Sequence, residues 1–164
     1  MTSGITSKAL ALAALTALGG SVLVFSGTAS AEAPGMVHNG ANARCLDADL
    51  GTIGGDGTRV QLWDCHGDDN QLWDFEPRGL VRNSQSGRCL DAELGGIAAN
   101  GTKVQLWDCH GDDNQIWDFD ADRGVLVNYQ SGRCLDADPN TITGNGTGVR
   151  LWDCHGGANQ RWSF

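Results

Sequence analysis

The chain has 164 residues, of which 20 are Asp or Glu and 11 are Lys or Arg, giving a formal net charge of −9 at pH 7. This acidity argues against a nucleic-acid-binding protein and against a protein that binds anionic membrane surfaces, because both classes need basic patches. We therefore expect no nucleic-acid partner and no membrane partner.

The first 31 residues are predicted to be a secretory signal peptide. Lys8 precedes an apolar run from Ala9 to about Phe25, and residues 29–31 (ASA) supply the small side chains that signal peptidase accepts. A membrane anchor is the weaker interpretation, because the run is short and rich in Ala and Gly and no second apolar stretch follows. The secreted remainder, residues 32–164, keeps ten basic and twenty acidic residues, a net charge of −10, and is long enough for one domain.

The rest of the chain is a threefold repeat. The segment QLWDCHGDDNQLWDF at 61–75 returns as QLWDCHGDDNQIWDF at 105–119 and again as RLWDCHGGANQRWSF at 150–164. Repeats of this length indicate supersecondary units that stack against one another around a shared core. After a short linker at 32–34, the repeats are predicted to span 35–78, 79–123 and 124–164.

Each repeat is predicted to contain four short β-strands. In the second repeat these are GLVRN at 79–83, RCLDA at 88–92, VQLWDC at 104–109 and QIWDF at 115–119. The stretches are apolar or alternating, and clusters of Gly, Asn, Asp and Ser separate them. No window carries a sustained helical period with caps. About twelve strands in an all-β domain are expected, closed around a threefold axis so that few sheet edges are exposed.

The six cysteines are predicted to form three disulfides. If every repeat is bridged equivalently, the cysteines pair either within each repeat or with one of the two neighbouring repeats. A constant separation of 20 residues favours pairing within the repeat, as Cys45–Cys65, Cys89–Cys109 and Cys134–Cys154. Zinc is the weaker alternative, because there is no C-x2-C pair and no pair of histidines. We expect neither a metal nor another cofactor.

A family resemblance follows from three elements that recur in order at a spacing of about 44 residues. RCLDA, then VQLWDCH, then NQLW resembles the repeat of ricin B-type lectins with its Q-x-W signature. The similarity is closer to the family-13 carbohydrate-binding modules attached to bacterial xylanases, and it covers 35–164. The resemblance implies a β-trefoil, which is a six-stranded barrel closed by three hairpins, with one shallow sugar pocket in each repeat.

The residues of each repeat also fit a sugar site on chemical grounds. A saccharide offers hydroxyl groups, which carboxylates and amides bind, and an apolar C–H face, on which an aromatic ring packs. By the resemblance, the Asp binds hydroxyls, the Trp stacks, the His and Asn complete the pocket, and the Gln supports it. The candidate carbohydrate-binding residues are Asp47, Trp63, His66, Asn70 and Gln71; Asp91, Trp107, His110, Asn114 and Gln115; and Asp136, Trp152, His155, Asn159 and Gln160.

The second tryptophan of each repeat, the W of Q-x-W, is expected in the core, where a large ring buries much apolar area. These residues are Trp73, Trp117 and Trp162. Replacing one of the candidate aspartates with Ala is expected to abolish one pocket and leave the fold intact.

Two features of the sequence affect the predicted pockets, one a difference from the family pattern and the other a difference between the repeats. The family often has Asn or Gln at the third position after the aspartate, where this chain has Leu50, Leu94 and Pro139, so that hydrogen bond is not expected. The third repeat has Arg150 in place of Gln and Gly157-Ala158 in place of Asp-Asp. Because these changes remove two carboxylates from the rim and add a mobile glycine, the third pocket is predicted to bind more weakly without being lost.

Three near-identical sites favour multivalent binding over catalysis, which needs one asymmetric pair of groups with different pKa values. We predict a secreted, non-catalytic, monomeric lectin for galactose- or xylose-type sugars or plant polysaccharide. The alternative is a β-trefoil that binds protein, as an inhibitor or as the partner subunit of a toxin. The Asp-rich loops lack an EF-type calcium pattern, and the acceptor-like triplets at 100–102 and 145–147 (NGT) are interpreted as turns.

Overall fold

The computed structural model describes residues 33–164, and the predicted signal peptide at 1–31 lies outside the described residues. Within this range the chain is all-β, with short 3-10 helices and no α-helix. No helix between residues 33 and 164 combines the length and the apolar character that a membrane span requires.

Each repeat supplies four strand positions, and the first position of repeat one is divided in two at Val37. The strands are β1 (Gly35–Met36), β2 (His38–Asn39), β3 (Cys45–Ala48), β4 (Thr58–Trp63), β5 (Leu72–Phe75), β6 (Val81–Asn83), β7 (Cys89–Ala92), β8 (Val104–Trp107), β9 (Trp117–Asp120), β10 (Val125–Asn128), β11 (Cys134–Ala137), β12 (Thr147–Trp152) and β13 (Trp162–Ser163). Because β1 and β2 together correspond to β6 and to β10, these strands occupy the twelve predicted positions.

The first and last strands of the repeats form a closed ring. The last strand of each repeat pairs antiparallel with the first strand of the next, as β5 with β6, β9 with β10, and β13 with β2. Inside the repeats, the ring continues through the β1–β5 pair, the Leu80–Ile116 bridge and a 2.7 Å hydrogen bond from the Trp162 N–H to the Gly124 carbonyl. Every strand position of this six-membered barrel therefore has a neighbour on both sides.

The second and third strands of each repeat form a hairpin beside the barrel. The hairpins are β3–β4, β7–β8 and β11–β12, and in each the first cysteine lies opposite the exposed or half-buried tryptophan. Strand β4 also pairs with β8 and with β12, so the three hairpins meet around the threefold axis. A six-stranded barrel with three hairpins is the β-trefoil that the family resemblance implied.

One hydrophobic core fills the barrel, and the Q-x-W tryptophans lie inside it. The side chains of Trp73, Trp117 and Trp162 are 1%, 3% and 3% exposed. Each indole N–H donates to the carbonyl of the leucine that follows the first cysteine of the same repeat, at 2.9 to 3.0 Å. The prediction that these rings are structural is confirmed, and each ring also ties the end of its repeat to its hairpin.

The fourth strand of the second repeat begins later than the sequence pattern predicted. Residues 115–119 were expected to be extended, whereas Asp113–Gln115 forms a 3-10 helix and the strand starts at Trp117. The third strand likewise ends at Trp107 instead of at 109. The cause is Gln115, whose fully buried side chain binds backbone groups of the preceding loop. The other 3-10 helices are Asp69–Gln71, Pro77–Gly79, Leu94–Gly96 and Ala158–Gln160.

Three disulfides bridge residues within the repeats, in the pairing that the constant spacing favoured. They join Cys45 to Cys65, Cys89 to Cys109, and Cys134 to Cys154. Each disulfide connects the start of a hairpin to the loop that follows the hairpin, so it fixes the loop on which the candidate histidine lies.

A polar residue at the tip of each hairpin turn joins its repeat to the next one. Asp56 accepts hydrogen bonds from Arg88 Nε (3.0 Å) and from the backbone N–H of Asp108 (2.8 Å). Asn100 makes the same two contacts to repeat three, and Asn145 makes them to repeat one. We refer to Asp56, Asn100 and Asn145 as the junction residues. The asparagine of each NGT triplet is exposed and forms hydrogen bonds between repeats from a turn.

The two tryptophans of repeat two are expected to differ sharply in their effect on stability. Replacing Trp117 with Phe removes the indole N–H and leaves the buried Leu90 carbonyl without its partner, so W117F should lower the free energy of unfolding by about 2 kcal/mol. The control is W107F, because the Trp107 ring is 38% exposed. This variant should change the free energy of unfolding by less than about 0.5 kcal/mol. Denaturant titration of both variants gives the comparison, and equal losses would contradict the assignment.

Acid sensitivity should depend on the junction residue of repeat one. The hydrogen bond from Arg88 holds the pKa of Asp56 below its ordinary 3.8, against a smaller opposing effect of desolvation. Its charge therefore stabilises the fold above about pH 4, and this contribution is lost as the pH falls through the lower folded-state pKa. D56N, which copies the Asn of the other two junctions, should lose less stability than the wild type between about pH 7 and about pH 3.

The matched control for this experiment is D118N, which removes an exposed carboxylate outside the junctions. Denaturant midpoints at the two pH values provide the readout. If D56N and the wild type lose the same stability on acidification, Asp56 has no part in the acid response.

Candidate functional site

The strand register places each candidate aspartate beside one particular residue of the partner strand. Asp47 lies opposite Gln61, Asp91 opposite Gln105, and Asp136 opposite Arg150. The neighbouring pairs, Leu with Leu on one side and Ala with Val on the other, belong to the core. Because side chains alternate between the two faces of a strand, the aspartates lie on the face directed away from the core. The residue before Leu-Trp is therefore part of the site, although it was not among the predicted site residues.

In repeat two, Asp91 is the centre of a buried hydrogen-bond network. Its side chain accepts bonds from Gln105 Nε2 (3.2 Å) on Oδ1, and from Asn114 Nδ2 (2.8 Å) and Gln115 Nε2 (3.0 Å) on Oδ2. The residue is only 3% exposed. Repeat one has the same network around Asp47, formed by Gln61, Asn70 and Gln71. A buried carboxylate requires such donors, because an unpaired charge in a low-dielectric interior is costly.

Gln115 shapes the loop and does not reach the surface. Its Oε1 accepts the backbone N–H groups of His110 (2.9 Å) and Gly111 (3.2 Å), and its Nε2 donates to the Asp108 carbonyl (3.0 Å) as well as to Asp91. It is 0% exposed, as are Gln71 and Gln160, which make the equivalent contacts. These three residues are placed to support the site.

The other four candidate residues of repeat two surround one cavity of about 320 Å3. Asp91, Trp107, His110 and Asn114 all line it, and His110 Nε2 lies 3.6 Å from Asp91 Oδ2. The cavity is completed by four residues that were not predicted as site residues, namely Glu93, Leu94, Gly95 and Gln105. Of these, Gln105 could have been found by pairing the two strands. An exposed aromatic ring beside carboxylate, imidazole and amide groups can bind a ligand with both an apolar face and hydroxyls.

Repeats one and two also contain an unpartnered acceptor at the site. Asn70 Oδ1 and Asn114 Oδ1 are buried, and neither finds a hydrogen-bond partner among residues 33–164. The amide nitrogen of Asn114 is already used by Asp91 and by the Ala92 carbonyl (3.0 Å). An unsatisfied buried acceptor costs about 1–3 kcal/mol, and such groups call for an explanation such as a functional role.

Repeat three keeps the centre of this arrangement. Asn159 Nδ2 and Gln160 Nε2 donate to Asp136 Oδ2 at 2.8 and 2.9 Å, and His155 Nε2 lies 3.4 Å from the same oxygen. In each repeat the Asp, His, Asn and Gln candidates are therefore brought together, and in repeat two the Trp lines the same cavity.

The rim of repeat three is different. Arg150 Nε lies 3.3 Å from Asp136 Oδ1, its Nη2 lies 3.3 Å from Asp138 Oδ1, and its Cζ lies 4.2 Å from the centroid of the Trp152 ring. A Cβ at Gly157 would come within 2.7 Å of the His155 ring, so the imidazole uses space that an Asp at this position needs. The two changes seen in the sequence thus alter the shape as well as the charge of the rim.

Three potential metal ligands lie together in repeat one. His38 lies close to both Cys45 and Cys65, with ligand atoms within 4.8 Å of one another. Both sulfurs belong to the same disulfide, which leaves no thiolate to bind a metal.

Comparison with known proteins places the fold. Residues 33–162 match the family described as ricin-type beta-trefoil lectin domain. The designed threefold symmetric protein ThreeFoil is similar, with 29% identity, a TM-score of 0.71, and coverage of 77% of this chain and 94% of that chain. The C-half of the earthworm R-type lectin, solved with GalNAc, has 20% identity and a TM-score of 0.64, with coverage of 80% and 97%.

The hemolytic lectin CEL-III shares 24% identity and a TM-score of 0.69, but this chain, covered to 81%, spans only 30% of it. No curated protein matches the chain significantly. Because the family match covers most of the sequence and the strand topology agrees with it, the chain belongs to the family of ricin-type β-trefoil lectin domains.

Proposed function

We propose that the protein is a secreted, non-catalytic lectin that binds galactose- or xylose-type sugars, or polysaccharides built from them, in one pocket per repeat. The observation that carries this proposal is the cavity of repeat two, where Asp91, Trp107, His110 and Asn114 meet on the fold of a lectin family. The same residue set recurs in repeats one and three.

The tryptophan provides the stacking surface. Trp63 and Trp107 are 39% and 38% exposed, which is unusual for so large a ring and contrasts with the buried Q-x-W tryptophans. Packing the C–H face of a sugar on the ring removes apolar surface of both partners from water. This contact orients the sugar with its hydroxyls toward the aspartate.

The aspartate and its neighbours provide the hydrogen bonds. A carboxylate can accept about four hydrogen bonds, and Asp91 receives three from protein side chains, which leaves acceptor capacity for one sugar hydroxyl. His110 Nε2 and the free Asn114 Oδ1 lie on the same Asp91 network. Hydrogen bonds to a fixed, already oriented carboxylate lose little entropy on binding, which favours recognition by a shallow pocket.

The choice of sugar class rests on chemistry and on a relative. The earthworm lectin with the same fold was solved with GalNAc, a galactose derivative. Galactose-type ligands are therefore the first to test on this chain, with xylose-type ligands next.

The proposal of binding instead of catalysis and the proposal of secretion rest on different observations. Three related sites on one fold suit multivalent binding by a monomer, in which linked weak sites gain from effective concentration. Three disulfides favour an oxidising compartment outside the cytosol.

A protein-binding β-trefoil is the second candidate, and one observation favours it. Phe75, Phe119 and Phe164 line an apolar cavity of about 390 Å3, and Phe75 and Phe164 are 40% and 53% exposed. Exposed aromatic clusters of this kind mark contact surfaces in many proteins. A protein that binds no glycan in the experiment below, but whose partner binding is lost in F164S, would support this candidate instead.

The stacking tryptophans give the direct test of the three-pocket proposal. After a glycan array has identified a ligand, calorimetry of the wild type should give three sites, and W107A should give two. Removal of the ring should weaken its own pocket by about tenfold or more, since burial of roughly 60 Å2 of apolar surface against the ring contributes about 1.5 kcal/mol. Thermal unfolding should be almost unchanged, because the ring is exposed. Three sites of unaltered affinity in W107A would refute the pocket assignment.

Because the aspartates are buried, replacing one of them is expected to lower the stability of the fold. The sequence alone suggested that an aspartate of a shallow pocket can be replaced without harm to the fold. D91A instead leaves the buried donors of Gln105, Asn114 and Gln115 without their acceptor, so we expect a loss of about 3 kcal/mol in the free energy of unfolding together with loss of one pocket.

Denaturant titration measures this loss, with E93A as the matched control. Glu93 is an exposed carboxylate of the same cavity, and its removal should change stability by less than about 0.5 kcal/mol. A D91A protein as stable as E93A would show that the network carries no stability.

A further inference from the structure

We infer that the pocket of repeat three selects saccharides that carry a carboxylate, such as uronic acids, and that Arg150 is the residue that determines this preference. The inference rests on the proposed sugar-binding function and assigns a separate ligand class to one of its pockets. It follows from a comparison of the three repeats, in which the same buried scaffold carries rims of different charge.

The position opposite the aspartate is where the repeats differ. Gln61 and Gln105 each donate one neutral hydrogen bond to the aspartate of their repeat, at 3.1 and 3.2 Å. Arg150 occupies this position in repeat three and pairs with both Asp136 and Asp138. A guanidinium therefore replaces an amide at the same place in the pocket.

The charge of the loop changes together with this position. The pocket and loop of repeat one carry the carboxylates of Asp47, Asp49, Asp68 and Asp69, and repeat two carries the equivalent Asp91, Glu93, Asp112 and Asp113. Repeat three keeps two carboxylates and has Gly157 and Ala158 in the loop. With Arg150 included, the formal charge is −1 in repeat three and −4 in each of the others, before the histidines are counted. Pockets one and two therefore repel an anionic sugar much more strongly.

The guanidinium remains able to bind a ligand. Arg has five N–H donors, and the contacts with Asp136 and Asp138 use Nε and Nη2, so Nη1 remains for a carboxylate. The Arg150 side chain is 21% exposed. Its Cζ lies 4.2 Å from the Trp152 ring centroid, so a neutral sugar has to compete with the guanidinium for this ring and for Asp136. A sugar carboxylate, in contrast, gains a charge-assisted hydrogen bond from the same group.

A second observation points to an anionic ligand. A cavity of about 470 Å3 is lined by Arg59, Lys103 and Arg150, with Asp138 as its acidic member. Lys103 Nζ donates to the Gly57 carbonyl (3.1 Å), and Arg59 donates to the Gly146 carbonyl. Since these partners are uncharged, the two cations keep their charge available. The cavity shares Arg150 and Asp138 with the third pocket, so further carboxylates of an acidic oligosaccharide can be attracted there.

The test uses sugar pairs that differ by one carboxylate, galactose with galacturonic acid and glucose with glucuronic acid. Calorimetry of the wild type should show the acid of a recognised pair binding at one site and its neutral partner binding most tightly at the other two. R150Q restores the residue type of the other repeats and should weaken binding of the acid by about tenfold or more. Added salt should weaken binding of the acid and leave neutral binding unchanged.

The control variant is R123Q, which removes the same charge at a 61% exposed arginine paired with Asp120, outside the pockets. It should bind the acid like the wild type, and neutral-sugar binding by R150Q shows that this variant is folded. Undiminished acid binding in R150Q, or a wild type that binds neutral sugars alone, would overturn the inference and leave the proposed function intact. If no member of either pair binds and a glycan array is also negative, the proposed function itself fails.

Discussion

The candidate sites and much of the local structure depend on one interaction, the burial of a single carboxylate between a hairpin and the loop that follows it. In repeat two, Asp91 belongs to the hairpin, whereas Asn114 and Gln115 belong to the loop, and their amide groups meet its Oδ2. A buried carboxylate is tolerated only when hydrogen-bond donors surround it. The loop that supplies these donors is therefore fixed next to the carboxylate. The disulfide fixes the same loop from its other end. Under the proposed function, stability and ligand recognition therefore share one group.

The comparison of repeat three with the others shows which part of such a site can change. Asp136 keeps its bonds from Asn159 and Gln160, so the contacts between the loop and the buried aspartate are the same in all three repeats. The variation lies at the rim, where Arg150 is added and the loop loses its aspartates. Different pockets can thus arise on one scaffold without a new fold.

Much of the fold could be predicted from the sequence because the information is repeated three times. The constant spacing of the cysteines favours the observed disulfide pairing within repeats, and the Q-x-W tryptophan found in every repeat, with its large apolar area, belongs in a core. The choice of site residues rested on the family resemblance and on the chemistry of Asp, Trp, His and Asn. Their meeting at one cavity in repeat two is a result of the fold.

Three features that could not be predicted from the sequence depend on contacts between distant segments. The role of Gln105 appears only when its strand is registered against that of Asp91, 14 residues away. The late start of the strand at Trp117 follows from a side chain that turns back to its own loop, which no alternation pattern records. Burial of Asp91 has the same origin, because it is produced by two amides that approach from the loop. Propensity and periodicity are local, whereas these three features are tertiary.

The junction residues make each repeat depend on its neighbour. Asp56 binds the backbone N–H of Asp108, the carbonyl of Asp108 accepts from Gln115, and Gln115 donates to Asp91. The turn of one repeat is in this way connected, through a short relay of hydrogen bonds, to the carboxylate of the following repeat. The relay recurs from Asn100 to Asp136 and from Asn145 to Asp47, so it closes on itself. A repeat is consequently not a modular unit. One excised from the chain would lose the contact that braces its own buried aspartate, and the complete ring of three repeats keeps every aspartate braced.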